Sequence, residues 1–205
     1  GRILLNGLDA ARFSPRSVQQ QMSVIFQDYA QYELSVRENL ALSQIEEQSD
    51  EKKLGTAAAR SRADEVLAEL PQGFDTQLGR YYDFGRKLSG GQWQRLALGR
   101  LYFRDASVLV FDEPTAALDA QAEFEVIESL RQQAEGRITV IISHRFSTVR
   151  LADKIVVLQN GQVMETGSHE ELLRQDGIYT TLFRLQARGY QDSPGAVSAL
   201  RNEAP

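Results

Sequence analysis

The 205-residue sequence predicts an α/β fold, a parallel sheet covered by helices and interrupted by a helical insertion. Two observations carry that expectation. From Ala106 onward, the short β-rich runs "SVLVF" and "ITVIIS" are bounded by polar residues and separated by a helical stretch near 120–134. Near-continuous apolar strands alternating with helices point to a parallel sheet buried on both faces. Between Asp28 and Asp105 the apolar spacing is helical instead.

Taken in order, "GRILLNG" and "MSVIFQ" read as strands joined by a short segment around "LDAARFSPRSVQQQ". "SVRENLAL" opens on a capping box, Ser35 with Glu38. The charge run "EEQSDEKK" reads as a solvated loop, and "TAAARSRADEVLAEL" as one helix closed by Pro71 and Gly73. Ser89 and Gln92 form a second capping box, followed by Trp93, Leu96, Ala97 and Leu101 on one helical face. "KIVVLQNGQVMETG" reads as a hairpin turning at Asn160-Gly161, and Ser168 with Glu171 as a third capping box. The tail after Arg188 has little to bury and is expected to be loose. These boundaries assign 1–27 and 106–165 to an α/β core, 28–105 to the helical insertion, 166–188 to a C-terminal helical segment and 189–205 to a flexible tail.

Composition narrows the function classes. The chain is 42% hydrophobic and 25% charged, ordinary for a globular protein. Its net charge of −5 leaves no basic footprint, which argues against nucleic acid as a partner. Cysteine is absent, so disulfides and thiolate metal sites are excluded, in keeping with a reducing compartment. The longest apolar runs, such as "VLVF" and "IVVL", fall far short of the roughly 18 residues that span a bilayer. The chain opens without methionine and already in a strand pattern, so its natural start is expected upstream.

Ligands of open parallel sheets gather at the carboxyl ends of the strands. "SVLVF" is followed there by Asp112, Glu113 and Pro114, "TVIIS" by His144, and "SVIF" by Gln27. One carboxylate of such a pair can hold a hydrated Mg²⁺ while its neighbour orients or deprotonates an attacking water. Taken singly, each has a plainer reading: a solvated strand end for the "DE" pair, a partly buried histidine with a satisfied ring for His144, and nothing for Gln27. The stretch "KLSGGQWQR" adds a different signal. Gly90 and Gly91 stand in the first turn of a helix, where each costs about 1 kcal/mol relative to alanine. A capping box needs no glycine there. A helix start presents unpaired N–H groups and partial positive charge, and bare backbone lets an anion approach them. The turn therefore reads as phosphate-facing, with a tight loop-to-helix joint as the alternative.

"LSGGQ" (88–92), "VLVFDEP" (108–114), "ALD" (117–119) and "ISH" (142–144), in this order and spacing, resemble the nucleotide-binding domain of ATP-binding cassette (ABC) transporters. The resemblance extends from "GRILLNG" to about Tyr190 and is nearest to bacterial exporters whose membrane and ATPase parts share one polypeptide. It implies a P-loop NTPase-like, RecA-like parallel sheet core with an inserted ABC-specific helical subdomain, and it implies ATP and Mg²⁺ as ligands. Gln27 would be the Q-loop glutamine that senses Mg²⁺ and the attacking water, beside "DYAQYELS", the surface that would meet the membrane domain. Ser89, Gly90, Gly91 and Gln92 belong to the signature motif, which would contact the γ-phosphate of ATP held by a second nucleotide-binding domain in a head-to-tail dimer. Asp112 would be the Walker B aspartate acting on Mg²⁺, Glu113 the catalytic base, Asp119 part of the D-loop at the dimer interface, and His144 the switch histidine. His169 reads as structural.

The family's P-loop, G-x-x-x-x-G-K-[ST], has no counterpart here. The four lysines, Lys52, Lys53, Lys87 and Lys154, all lie outside such a pattern. The expectation is a partial domain, inactive alone, whose parent powers export from the cytoplasmic face of the inner membrane. Two other readings stay open: a soluble cassette ATPase acting on ribosomes or DNA, and a non-catalytic module that donates its signature face to a partner.

Overall fold

The computed structural model describes residues 1–80, 84–115 and 120–191; Asp119 and the segment 192–205 lie outside them. The chain divides into two compact units, Gly1–Ile142 and Ser143–Pro205.

In the first unit, β1 (Leu4–Leu5) and β2 (Leu8–Asp9) form a hairpin. It turns at Asn6 and Gly7, whose φ of 49° and 79° supply the paired left-handed conformations that a two-residue loop requires. Helix α1 (Pro15–Gln20), capped by Ser14 with proline at its start, leads into β3 (Met22–Ile25). Then come four helices, α2 (Val36–Ala41), α3 (Glu51–Ser61), α4 (Ala63–Ala68) and α5 (Gly90–Phe103). The unit closes with β4 (Val108–Asp112), α6 (Ala120–Ala134) and β5 (Ile138–Ile142).

The strands β3, β4 and β5 form a parallel sheet in that order, with Ile25 opposite Phe111 and Asp112 opposite Ile142. Its two faces differ. Ile25, Leu109 and Phe111 are buried with Ala97, Leu98, Leu101 and Tyr102 of α5 and Val126 and Leu130 of α6. On the other face Val24, Ile138, Val140 and Ile142 are 42–66% exposed. The expected cover on both faces is therefore present on one, among the described residues.

The helical insertion has its own core, including Val36, Leu40, Leu54, Ala58, Val66, Trp93, Leu96 and Phe103. Helix α5 serves both cores, so it is apolar on more than the single face its spacing suggests. Gly99 makes this crossing possible: a β-carbon there would lie 2.5 Å from Leu40 Cδ2 and 2.9 Å from Ser61 Oγ.

Two local expectations change. The charge run is only partly loop, because Asp50 accepts from the Lys53 amide at 2.9 Å and starts α3 at Glu51. The helix expected over "TAAARSRADEVLAEL" breaks in two at Arg62, which takes a left-handed φ of 57°. That break sets Arg62 beside Glu65 and Glu125, at 2.6 and 2.7 Å. Arg95 of α5 meets the same two carboxylates at 2.7 and 3.1 Å, so the four charges tie α4, α5 and α6 together.

The second unit contains α7 (Phe146–Val149), the hairpin β6 (Ile155–Gln159) and β7 (Gln162–Gly167), α8 (His169–Gln175) and α9 (Ile178–Gln191). The hairpin turns at Asn160-Gly161 with φ of 51° and 74°, as its sequence predicts. Glu165 accepts from the amides of Ile178 and Tyr179, fixing the start of α9. Ile155, Leu172 and Tyr179 form the core.

Candidate functional site

The start of α5 is built by reciprocal capping. Ser89 Oγ accepts from the Gln92 amide at 3.2 Å, and Gln92 Oε1 accepts from the Ser89 amide at 2.9 Å. Gln92 Nε2 also donates to Glu69 at 3.0 Å, which fixes the rotamer of the capping side chain. Ser89, Gly90 and Gly91 are exposed at the surface. Neither glycine has a positive φ, and a β-carbon built on either meets nothing within 4 Å. Backbone angle and packing would thus both accept alanine at these two positions, in contrast to Gly99 on the same helix. The pair leaves open backbone at a helix start, where the first-turn amides have no intrahelical acceptor. A cleft of about 320 Å³ lies alongside, lined by Ser89, Gly91, Gln92, Arg62, Arg95 and Ser129 among others.

The other candidate residues of the first unit leave the carboxyl edge of the sheet. Gln27 is exposed, two residues beyond Ile25, while Glu113 stands two residues beyond Phe111, the partner of Ile25. Asp112 ends β4 on the face shared with Ile138, Val140 and Ile142. Glu113 has a φ of 47°, and its amide donates to the Ile142 carbonyl at 2.8 Å. A left-handed glutamate costs about 1–2 kcal/mol, and strain of this kind recurs at functional positions. Gln94 of α5 donates to the carbonyl of Pro114, tying the helix that starts at the glycines to the turn behind Glu113.

Among the described residues, no group of three or more histidines, aspartates or glutamates gathers to hold a metal. A single strand-end carboxylate suits Mg²⁺ bound to a nucleotide, because that ion keeps several waters and takes its remaining ligands from phosphate. Asp112, at the end of β4, is a strand-end carboxylate.

In the second unit His144 is exposed, and its carbonyl accepts from Gln186 Nε2 at 3.1 Å. His169 has the structural role expected of it: Nδ1 shares a 2.7 Å hydrogen bond with the Tyr179 hydroxyl, and its ring meets Phe183 edge-on at 5.3 Å.

Sequence reasoning missed two features. Tyr29 donates its hydroxyl to the Gly90 carbonyl at 3.0 Å across 61 residues, a contact that no local pattern announces. The four-charge cluster around Arg62 was hidden by an unmarked helix break; the (i, i+3) pair Arg62–Glu65 was the one local clue.

The first unit is an α/β domain, a parallel sheet with a helical insertion and acidic residues at its carboxyl edge, an arrangement consistent with the P-loop NTPase fold. The family described as "ABC transporter" matches residues 1–116, and the chain belongs to that family. It is 40% identical over 179 residues to the subtilin transport ATP-binding protein of Bacillus subtilis, covering 87% of this chain and 29% of that one. It is likewise 40% identical over 189 residues to the ATP-dependent lipid A-core flippase of Legionella pneumophila, covering 92% of this chain and 31% of the flippase. A solved structure of a bacterial Atm1-family ABC exporter with ATP bound superposes with a TM-score of 0.81 at 36% identity, covering 91% of this chain and 32% of the exporter. The chain thus spans about a third or less of the length of the proteins it matches.

Proposed function

We propose that this chain is part of the ATP-binding and ATP-hydrolysing engine of an ABC exporter, working at the cytoplasmic face of the inner membrane. The observation that carries this is the open glycine pair: in a chain of this family, two helix-start glycines that the fold does not require fit an approaching phosphate. Ser89, Gly90 and Gly91 bind the γ-phosphate of a nucleotide held by a second nucleotide-binding domain, arranged head to tail. Asp112, with Gln27, holds Mg²⁺, which when bound neutralises charge on the phosphates. Glu113 takes a proton from the attacking water, and its left-handed backbone is a strained conformation of the kind that recurs at functional positions. His144 and Asp119 take the roles the resemblance implies, at the γ-phosphate and at the dimer interface.

The exposed sheet face supports a further covering unit. Parallel sheets are found with both faces covered, and on the face bearing Asp112 the apolar Val24, Ile138, Val140 and Ile142 are exposed among the described residues. That face fits a strand-and-helix unit carrying the P-loop. A membrane-domain partner is supported by the exposed Phe26, Tyr32, Leu42 and Ile45 around the segment after Gln27, beside a cleft of about 470 Å³. No helix among the described residues is long and apolar enough to cross a membrane.

The test is Glu113→Gln in the full-length protein. ATP binding should persist while turnover falls at least ~100-fold, the scale of lost general-base catalysis. Hydrolysis near the parental rate would remove Glu113 from the role.

A further inference from the structure

The loop that follows Gln27 is fastened to α5 at two places. At one end, the Arg100 guanidinium donates to the Ala30 carbonyl at 3.0 Å and to the Asn39 carbonyl and Oδ1 at 3.1 and 2.9 Å, and it stacks over the Tyr32 ring at 5.0 Å. Asn39, fully buried, spends its amide on the carbonyls of Tyr32, Leu34 and Ser35. At the other end, the Tyr29 hydroxyl donates to Gly90, the first residue of α5. Ten residues of helix separate Gly90 from Arg100, about 15 Å at 1.5 Å per residue.

Two attachments that far apart fix the tilt of a helix against a loop, whereas one alone is a pivot. Tyr29 is well suited to the outer attachment. Its ring packs against both hydrophobic cores of the first unit, that of the helical insertion and that of the sheet. Burial raises the pKa of its hydroxyl, so it stays protonated and able to donate.

We propose that Tyr29 is a positioning residue whose hydroxyl locks the phosphate-facing turn Ser89–Gly91 to the loop carrying Gln27, so that the two move as one body. The inference rests on the proposed nucleotide function for its catalytic consequence, though not for the lock itself. Displacement of the loop by a bound partner would then be carried directly to the glycine turn. Without the hydroxyl, Arg100 still anchors the loop and Gln92, Gln94 and Arg95 still hold α5 to its other neighbours, but the start of α5 is no longer tied to the loop.

Tyr29→Phe in the full-length protein removes only the oxygen and keeps the ring in both cores. Hydrogen exchange followed by mass spectrometry should show amides in 89–94 exchanging about 3- to 10-fold faster, the scale of one lost hydrogen bond. The melting temperature should stay within about 2 °C, and peptides from α6 should be unchanged. In the same preparation kcat for ATP should fall about 3- to 10-fold while KM stays within twofold. A purely structural tyrosine would lower the melting temperature and leave that split absent. Unchanged exchange at 89–94 overturns the lock, whatever the turnover does. Faster exchange with parental kcat overturns the claim that the lock serves the reaction. Glu113→Gln run in parallel separates the two readings: if it hydrolyses normally, the catalytic assignment fails, while the exchange data still judge Tyr29.

Discussion

Replacing Gly90 and Gly91 by alanine should raise stability and lower activity together, a combination that a structural joint cannot produce. Each glycine sits in the first turn of α5 with helical backbone and open space where a methyl would go. Alanine should therefore recover up to about 1 kcal/mol per site. In a domain of this size that is about 2–4 °C in melting temperature. The same methyl stands between the helix-start amides and an incoming phosphate, and a lost donor at a charged transition state costs about 10²–10³ in rate when complete. A displaced contact should cost ~10- to 100-fold, first at Gly91. Gly99→Ala is the internal control. Its methyl would press on Leu40 and Ser61, and overpacking of this kind costs about 1–3 kcal/mol. Differential scanning fluorimetry and steady-state ATPase on the three full-length variants measure both quantities. The reasoning fails if Gly90→Ala and Gly91→Ala melt lower, as Gly99→Ala should, or if they melt higher with parental turnover.

Three further outcomes are expected. Glu125→Ala leaves Arg62 and Arg95 with Glu65 as their shared partner in the cluster, and should cost about 1 kcal/mol, since partly exposed pairs are individually weak; the loss, read by urea titration, should shrink in 0.5 M salt. Hydrogen bonds from the Ser35 hydroxyl and then its amide hold the Glu38 carboxyl below the ordinary glutamate value. A depressed folded pKa contributes stability above the unfolded value, about 4.3, and loses it as pH falls through the folded one. Glu38→Gln should accordingly lower stability most at pH 7, where that contribution is fully present, and progressively less as pH falls below about 4.3, flattening the acid limb of the profile. Finally, the 205-residue chain by itself should bind Mg-ATP weakly, with no G-x-x-x-x-G-K-[ST] in it; micromolar binding by calorimetry would contradict this.

What the sequence disclosed was local chemistry. All three capping boxes form, because a serine and an acceptor three residues on need nothing from the rest of the fold. The Asn160-Gly161 hairpin forms for the same reason. The strands were visible as apolar runs, but their exposure was not: a continuous run suggests burial on both sides, and only tertiary context shows that Ile138 and Val140 stay 66% and 45% exposed. Arg62 gave no warning of its left-handed turn, since arginine carries neither the freedom of glycine nor the constraint of proline. Glu113 was marked by the company of Asp112 and Pro114, while its left-handed backbone, beside an amide bonded to Ile142 on a neighbouring strand, has no local sequence signal. The glycine pair at the start of α5 was visible in the sequence, with a phosphate-facing turn and a tight helix joint both open as readings. Why the glycines are not there for packing needed the space around them.

The uncovered face of the sheet has a consequence for handling the chain. Val24, Ile138, Val140 and Ile142 present greasy surface to water, and among the described residues β5 is an edge strand of its sheet. Such a strand is a template for pairing with another chain, and charge or proline is the usual protection; "ITVII" contains neither. At raised concentration the chain should self-associate through this strand, giving light-scattering particles rich in intermolecular β-structure. A single lysine at Val140, on the bare side, should keep it dispersed without touching the packed side.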